Sequence, residues 1–204
     1  MKVENKNSIR IRYITITAML SAVAFVLQYF EIPVPVMPSF VKLDLSDLPA
    51  LVGAFAMGPV CGVLIELIKN VLHLAASQSG FVGELCNFLF GAIFVLPAGI
   101  MYKKNKCKKA AMIGSVAGAV AMAVLSFPIN LLIVYPFYEN FMKRELIIGA
   151  YNTILAVVHG PRLTELWQCL LMFNVPFTFV KGMISVVITW LIYKKISPVL
   201  HGQK

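Results

Sequence analysis

Apolar runs of bilayer-crossing length recur along this chain, and that recurrence restricts the fold more than any single motif in it. A helix rises about 1.5 Å per residue, so about 20 apolar residues cross a hydrocarbon layer about 30 Å thick. Runs at 13–30, 60–76, 81–102, 110–135 and 166–193 approach or exceed that length. A shorter run at 47–57 ends at Gly58-Pro59, a tight turn into the next. Short segments of this kind occur where a helix tilts or stops inside the protein. With 59% apolar and 13% charged residues, a soluble core of 204 residues has no way to enclose such a surface. The sequence therefore predicts an all-α, polytopic membrane protein, a six-transmembrane-helix bundle in a single integral membrane domain over 1–204.

Lysine and arginine set the orientation. With a cytoplasmic N-terminus, twelve basic residues lie inside: Lys2, Lys6, Arg10, Arg12, Lys103, Lys104, Lys106, Lys108, Lys109, Lys194, Lys195 and Lys204. Four lie outside: Lys42, Lys143, Arg144 and Arg162. The positive-inside rule favours this arrangement, which makes both termini cytoplasmic and 136–165 an external loop. The apolar piece 146–158 within that loop has 13 residues, too few to span. Counting it as a span would also turn Lys194 and Lys195 outward. It reads as an external interfacial or lid-forming helix ended by Gly160-Pro161. Ala22-Val23-Ala24 after a basic flank imitates a signal cleavage site, but the apolar run continues to Phe30, so retention of the first span is expected.

Several function classes drop out. The net charge of +9 does not indicate nucleic acid, because the basic residues flank apolar runs without the interleaved aromatics of a strand-binding groove. They mark topology, and the lipid bilayer is the partner. The chain has no G-x-x-x-x-G-K-[ST] phosphate loop, no H-E-x-x-H zinc motif and no G-x-S-x-G nucleophile elbow. Cys61, Cys86, Cys107 and Cys169 show no C-x-x-C spacing and read as apolar fillers plus one exposed thiol at Cys107. His73, His159 and His201 have no carboxylate three or four residues away to orient them. No catalytic residue, resident cofactor or metal site is expected. Six spans without a detectable internal repeat are also few for a self-sufficient secondary transporter.

The polar groups inside the apolar runs carry the functional signal, because such groups need a partner or a task. Glu66, Lys69, Asn70 and His73 fall on one helical ridge, with Glu66 and Lys69 placed to form a structural ion pair. Glu84 and Asn87 lie near the outer end of the fourth run, Asn130 near that of the fifth, and Asn174 and Lys181 on the last. Lys181 is 13 residues from Lys194, which places it about 20 Å above the inner boundary, in the outer half. It has no acidic neighbour one turn away and is expected to face a pocket. The charges of Glu66, Glu84, Lys69 and Lys181 cancel, which suits a neutral polar ligand. With Phe40, Phe127, Tyr135, Phe137, Trp167, Phe173 and Phe177 near the outer ends, the set describes a pocket for a flat, heteroatom-rich ring with a hydroxylated tail.

Lys42-Leu43-Asp44-Leu45-Ser46-Asp47-Leu48-Pro49, followed by Gly58-Pro59 and Glu66-Leu67-Ile68-Lys69-Asn70, resembles the riboflavin-specific S components of energy-coupling factor (ECF) transporters. So do Gly83-Glu84-Leu85-Cys86-Asn87 and Asn174-Val175-Pro176-Phe177 leading to Lys181-Gly182. The resemblance implies a multi-pass protein of the bacterial plasma membrane that binds riboflavin at the outer face. Its partners would be a membrane coupling subunit and two cytoplasmic ATPase subunits, with toppling of the S component releasing substrate inward. It implies ligand contacts from Lys42, Leu43, Asp44, Glu84, Asn87, Asn130, Asn174 and Lys181, with Asn140 or Asn152 competing for the role of Asn130. It also implies docking on the coupling subunit through Ala18 and Ala22, small residues one helical turn apart. Gly114 and Gly118 share that spacing and are expected inside the bundle. The alternatives are an S component for thiamine or a folate, or a membrane-embedded enzyme using Glu66, His73 and Glu84.

Overall fold

A computed structural model describes residues 6–77 and 80–201. Lys2 and Lys204 of the charge count lie outside the described residues. Helix α1 (Lys6–Tyr29) leads into a loop closed by a two-residue antiparallel ladder of β1 (Ile32–Pro33) and β2 (Lys42–Leu43), with Ile32 opposite Leu43. Helices α2 (Asp47–Met57) and α3 (Pro59–His73) follow, and a 3-10 turn at Leu74–Ala76 extends α3. Next come α4 (Val82–Lys104) and α5 (Lys108–Ile129). A π turn at Asn130–Val134 continues α5 into the short α6 (Tyr135–Tyr138). Helix α7 (Arg144–Val157) lies in the long loop, and α8 (Leu166–Cys169) passes through a second π turn, Leu170–Asn174, into α9 (Val175–His201).

The sequence predicts six crossing helices; among the described residues, five are long and apolar enough to cross. The exception is α2, whose 11 residues reach about 16 Å, half the hydrocarbon thickness. It is buried against its neighbours, through Ala50, Leu51, Ala54 and Phe55, so it stops inside the bundle. Gly58 makes this possible. Its φ of +100° is open to glycine without a Cβ penalty, and Pro59 then starts α3 at a position that needs no backbone donor.

Two apolar cores divide the molecule. One packs α1 to α5 and α9 around Leu51, Phe55, Ile65, Phe94 and Met122. The second sits under α7 and joins Ile147, Tyr151 and Leu155 to Val134, Tyr135, Leu166 and Leu170. The loop helix is therefore docked through an i, i+4, i+8 stripe. Gly114 and Gly118 are in the bundle as expected: a Cβ at Gly118 would fall 2.1 Å from the carbonyl oxygen of Phe94 on α4. Ala18 and Ala22 are exposed on the outer side of α1.

Candidate ligand-binding site

The polar ridge of α3 is buried, and α2 and its preceding loop supply its partners. Lys69, fully enclosed, donates to Ser46 Oγ at 2.6 Å and Asp47 Oδ1 at 2.7 Å. Its Nζ also lies 2.7 Å from Glu66 Oε2, the expected ion pair, though outside hydrogen-bonding direction. Gly91 on α4 makes room for that carboxylate, since a Cβ there would lie 2.2 Å from Glu66 Oε2. Asn70 accepts from Gln28 Nε2 of α1 at 3.1 Å.

Lys181 lines a cavity, as expected, but its acidic partners come from elsewhere in the chain. It has no acid one turn away, yet Asp44 and Asp47, remote in sequence, reach it at 3.0 and 3.5 Å, and Asn87 Oδ1 accepts from it at 3.2 Å. The charge balance read from Glu66, Glu84, Lys69 and Lys181 omitted these two aspartates, which belong to the same cluster. Ser46 donates to Asp44 Oδ1 through its backbone N–H at 2.9 Å and through its hydroxyl. Burial alone would raise the Asp44 pKa, but Lys181 and then Lys69 hold that carboxyl well below the usual range.

Above this cluster opens a cavity of about 660 Å³, within the roughly 300–1,000 Å³ of small-molecule sites. It lies where α4 begins and α5 ends, at the end of the bundle opposite the lysine-rich turn 103–109. Lys42, Asp44, Glu84, Asn87, Asn130, Asn174 and Lys181 all line it. Leu43 does not; it is held in the β ladder facing Ile32. Lys42 pairs with Glu31 at 2.5 Å, and Glu84 accepts from Ser77 Oγ at 2.8 Å. Glu84 also lies 3.0 Å from His73 Nδ1, so His73 does have an orienting carboxylate, supplied by the next helix.

Asn130 differs from all of these. It is 3% exposed, lines the cavity, and among the described residues its amide has no hydrogen-bond partner. The competing asparagines are occupied elsewhere. Asn140 caps the backbone of Pro136 and Phe137, and Asn152 exchanges two 2.8 Å bonds with the backbone of Leu163.

Both cavity asparagines of the last two spans sit in π turns, and a repeated sequence feature accounts for this. Pro136 follows the end of one π turn by two residues, and Pro176 follows the other likewise. A proline inside a helix offers no N–H to the carbonyl four residues back and its ring crowds that carbonyl. Here those carbonyls belong to Leu132 and Met172, the centres of the two turns. Widening to an i→i+5 pattern relieves the clash: Tyr135 N–H donates to Asn130 O and Val175 N–H to Leu170 O. Such bulges re-aim side chains and recur at functional sites. The spaced prolines were the available signal.

Tyr135, Tyr151 and Asn174 form a closed set of hydrogen bonds. Tyr151 donates to Asn174 Oδ1 at 2.6 Å, Asn174 Nδ2 donates to Tyr135 Oη at 3.1 Å, and the two hydroxyls lie 2.6 Å apart. Tyr151, on α7 in the long loop, has its phenol pKa raised, first by burial. Tyr151 escaped the sequence reading, although its place between Ile147 and Leu155 on the buried stripe was visible there. Of the aromatics expected at the pocket, Phe40, Tyr135 and Phe177 line it. Phe137 and Trp167 instead face outward, and Phe127 and Phe173 pack in the second core. Tyr29, Phe90, Tyr138 and Phe141 line it without having been anticipated.

Comparison with known proteins identifies the family and the fold. Residues 12–193 match the family model described as the substrate-specific component of ECF transporters. The chain is 30% identical to the riboflavin transporter FmnP of Bacillus subtilis over 96% of its own length and 97% of that protein. It is 32% identical to the riboflavin transporter RibU of Staphylococcus aureus, covering 91% of this chain and 90% of that one. A solved structure, described as the S component of a bacterial ECF transporter, superposes with a TM-score of 0.71 at 28% identity, over 94% of this chain and 98% of that one.

Proposed function

This chain belongs to the substrate-specific components of ECF transporters, and we propose that it captures riboflavin from the outer side of a bacterial plasma membrane. A component of this family is a transporter subunit rather than an enzyme. Orientation follows from charge: the lysine-rich turn 103–109 is cytoplasmic by the positive-inside rule, which puts the cavity at the opposite, external face and both termini inside. The short α2 then counts as a sixth, incomplete crossing.

The observation that carries the ligand assignment is the Asn130 amide, buried in the cavity wall and without a hydrogen-bond partner among the described residues. A carboxamide offers a donor beside an acceptor, the complement of an imide edge such as that of the isoalloxazine ring. Phe40, Phe90, Tyr135 and Phe177 supply apolar faces for a flat ring. Lys42, Asp44, Glu84, Asn87, Asn174 and Lys181 provide polar contacts for ring heteroatoms and ribityl hydroxyls.

Transport energy must then come from outside this chain, which has no phosphate loop. Ala18 and Ala22 give α1 a smooth exposed strip for a coupling subunit, and two ATPases attached to that subunit would drive release inward. Purification from riboflavin-containing cells tests the ligand assignment. A visible flavin spectrum with quenched fluorescence is expected; a colourless protein that leaves added riboflavin fluorescent but binds thiamine or a folate overturns it.

A further inference from the structure

Tyr151 never reaches the cavity, yet every hydrogen bond its hydroxyl makes goes to a residue that does. The proton count of the three-membered ring is closed. Tyr151 gives its proton to Asn174 Oδ1. Tyr135 accepts from Asn174 Nδ2 and therefore supplies the proton between the two hydroxyls. Turning the Asn174 amide over would reverse the ring and still leave both hydroxyl protons inside it. The Tyr135 oxygen can consequently only accept from a ligand, while Asn174 retains one N–H and one lone pair.

We infer that Tyr151 is a positioning residue for ligand binding: it locks the Asn174 amide, makes the Tyr135 hydroxyl an acceptor, and so ties helix α7 to the chemistry of the cavity wall. This rests on the flavin reading above. The wall it creates takes a ligand group that can donate, a hydroxyl or an N–H, and rejects a bare carbonyl at Tyr135. The mechanical basis is firm. Tyr151 is fully buried, its ring packs edge-on against Phe40 of the first loop at 6.3 Å, and it lies 5.2 Å from the ring of Phe173 beside Asn174. Its own helix is held by Ile147 and Leu155 on either side. A rigid support behind a binding group reduces the ordering cost of binding.

A double-mutant cycle on the full chain in detergent tests this, with riboflavin affinity read by flavin fluorescence quenching. Tyr151→Phe keeps the ring and removes only the hydroxyl. It is expected to weaken riboflavin binding by about three- to tenfold, the size of one net hydrogen bond. Asn174→Ala weakens binding as well, and Asn130 and Lys181 keep it measurable. In the Asn174→Ala background, Tyr151→Phe is expected to change affinity by less than about twofold, because its effect passes through the missing amide. A merely structural role would instead give the same loss in both backgrounds, tracking the fall in melting temperature, and that result overturns the inference. So does unchanged affinity in Tyr151→Phe. Both leave the flavin reading intact. A wild-type protein that does not quench riboflavin sinks the flavin reading and this inference with it.

Discussion

Lys181 belongs to a buried charge cluster and, on the proposed function, to the binding site, two roles that one substitution confounds and a pair of substitutions separates. Lys181→Met removes an ammonium that lies 3.0 Å from Asp44, 3.2 Å from Asn87 and 3.5 Å from Asp47. The two buried aspartates would then share Lys69 alone. Removing one partner of a buried pair costs about 3–5 kcal/mol, mostly the penalty of the charge left behind. At about 2–4 °C per kcal/mol for a chain of this length, the melting temperature should fall by about 6–20 °C. Adding Asp44→Asn removes the stranded charge and keeps an oxygen to accept from Ser46, so the double variant should recover most of the loss. Affinity should not recover. Lys181 donates two hydrogen bonds within the chain, which leaves one N–H for the cavity. A hydrogen bond from a charged donor is worth about 1.5–3 kcal/mol, or about ten- to a hundredfold in Kd. Melting curves from intrinsic fluorescence and riboflavin quenching titrations read the two effects separately. A Lys181→Met protein that melts within about 2 °C of wild type, well short of the expected fall, refutes the charge argument. A double variant that binds as tightly as wild type removes Lys181 from the site.

Asn130→Ala should cost at least about tenfold in riboflavin affinity while barely moving the melting temperature, because the amide has no hydrogen-bond partner among the described residues. Unchanged affinity in a quenching titration would exclude it from the site. Asn140→Ala should leave affinity alone, since that side chain serves the Pro136 and Phe137 carbonyls; a tenfold loss would reverse the assignment of the two asparagines. Ala18→Trp should spare riboflavin binding and abolish both co-purification with a coupling subunit and cellular uptake. An assembled, active complex carrying that variant would refute docking through this face.

What the sequence revealed and what it concealed divide along the range of the interactions involved. Spans, turn and loop helix follow from local period and length: α2 falls on the predicted 47–57, and α7, Arg144–Val157, overlies the predicted 146–158 closely. The pair Glu66 and Lys69 was visible because one helical turn separates them. The link from Lys181 to Asp44 spans 137 residues of chain, and no periodicity carries such a contact. The same holds for Asn174 and Tyr135, 39 residues apart. Leu43 stands apart from the cavity lining for another reason. A motif resemblance assigns a residue to a site, but only the alternation of the β ladder decides which way its side chain leaves the backbone.

The way the cavity's polar groups spend their hydrogen bonds limits how a ligand can be chosen. Asp44, Glu84, Asn87 and Asn174 accept, and Lys181 donates, one or more hydrogen bonds within the chain, so their positions are fixed before anything binds. Among the described residues, the valences still open to a ligand include the Asn130 amide, the Asn87 amide N–H groups, one N–H of Lys181, one N–H and one lone pair of Asn174 and the acceptor face of Tyr135. A ligand that lacks a group opposite one of these leaves a buried donor or acceptor unpaired, at a cost of about 1–3 kcal/mol each. Shape alone cannot discriminate so sharply, because a missing methylene against an apolar wall is worth only about 1 kcal/mol. Selectivity should therefore concentrate at these few atoms. Analogues altered in ring heteroatoms or tail hydroxyls should lose far more affinity than those altered in ring methyl groups.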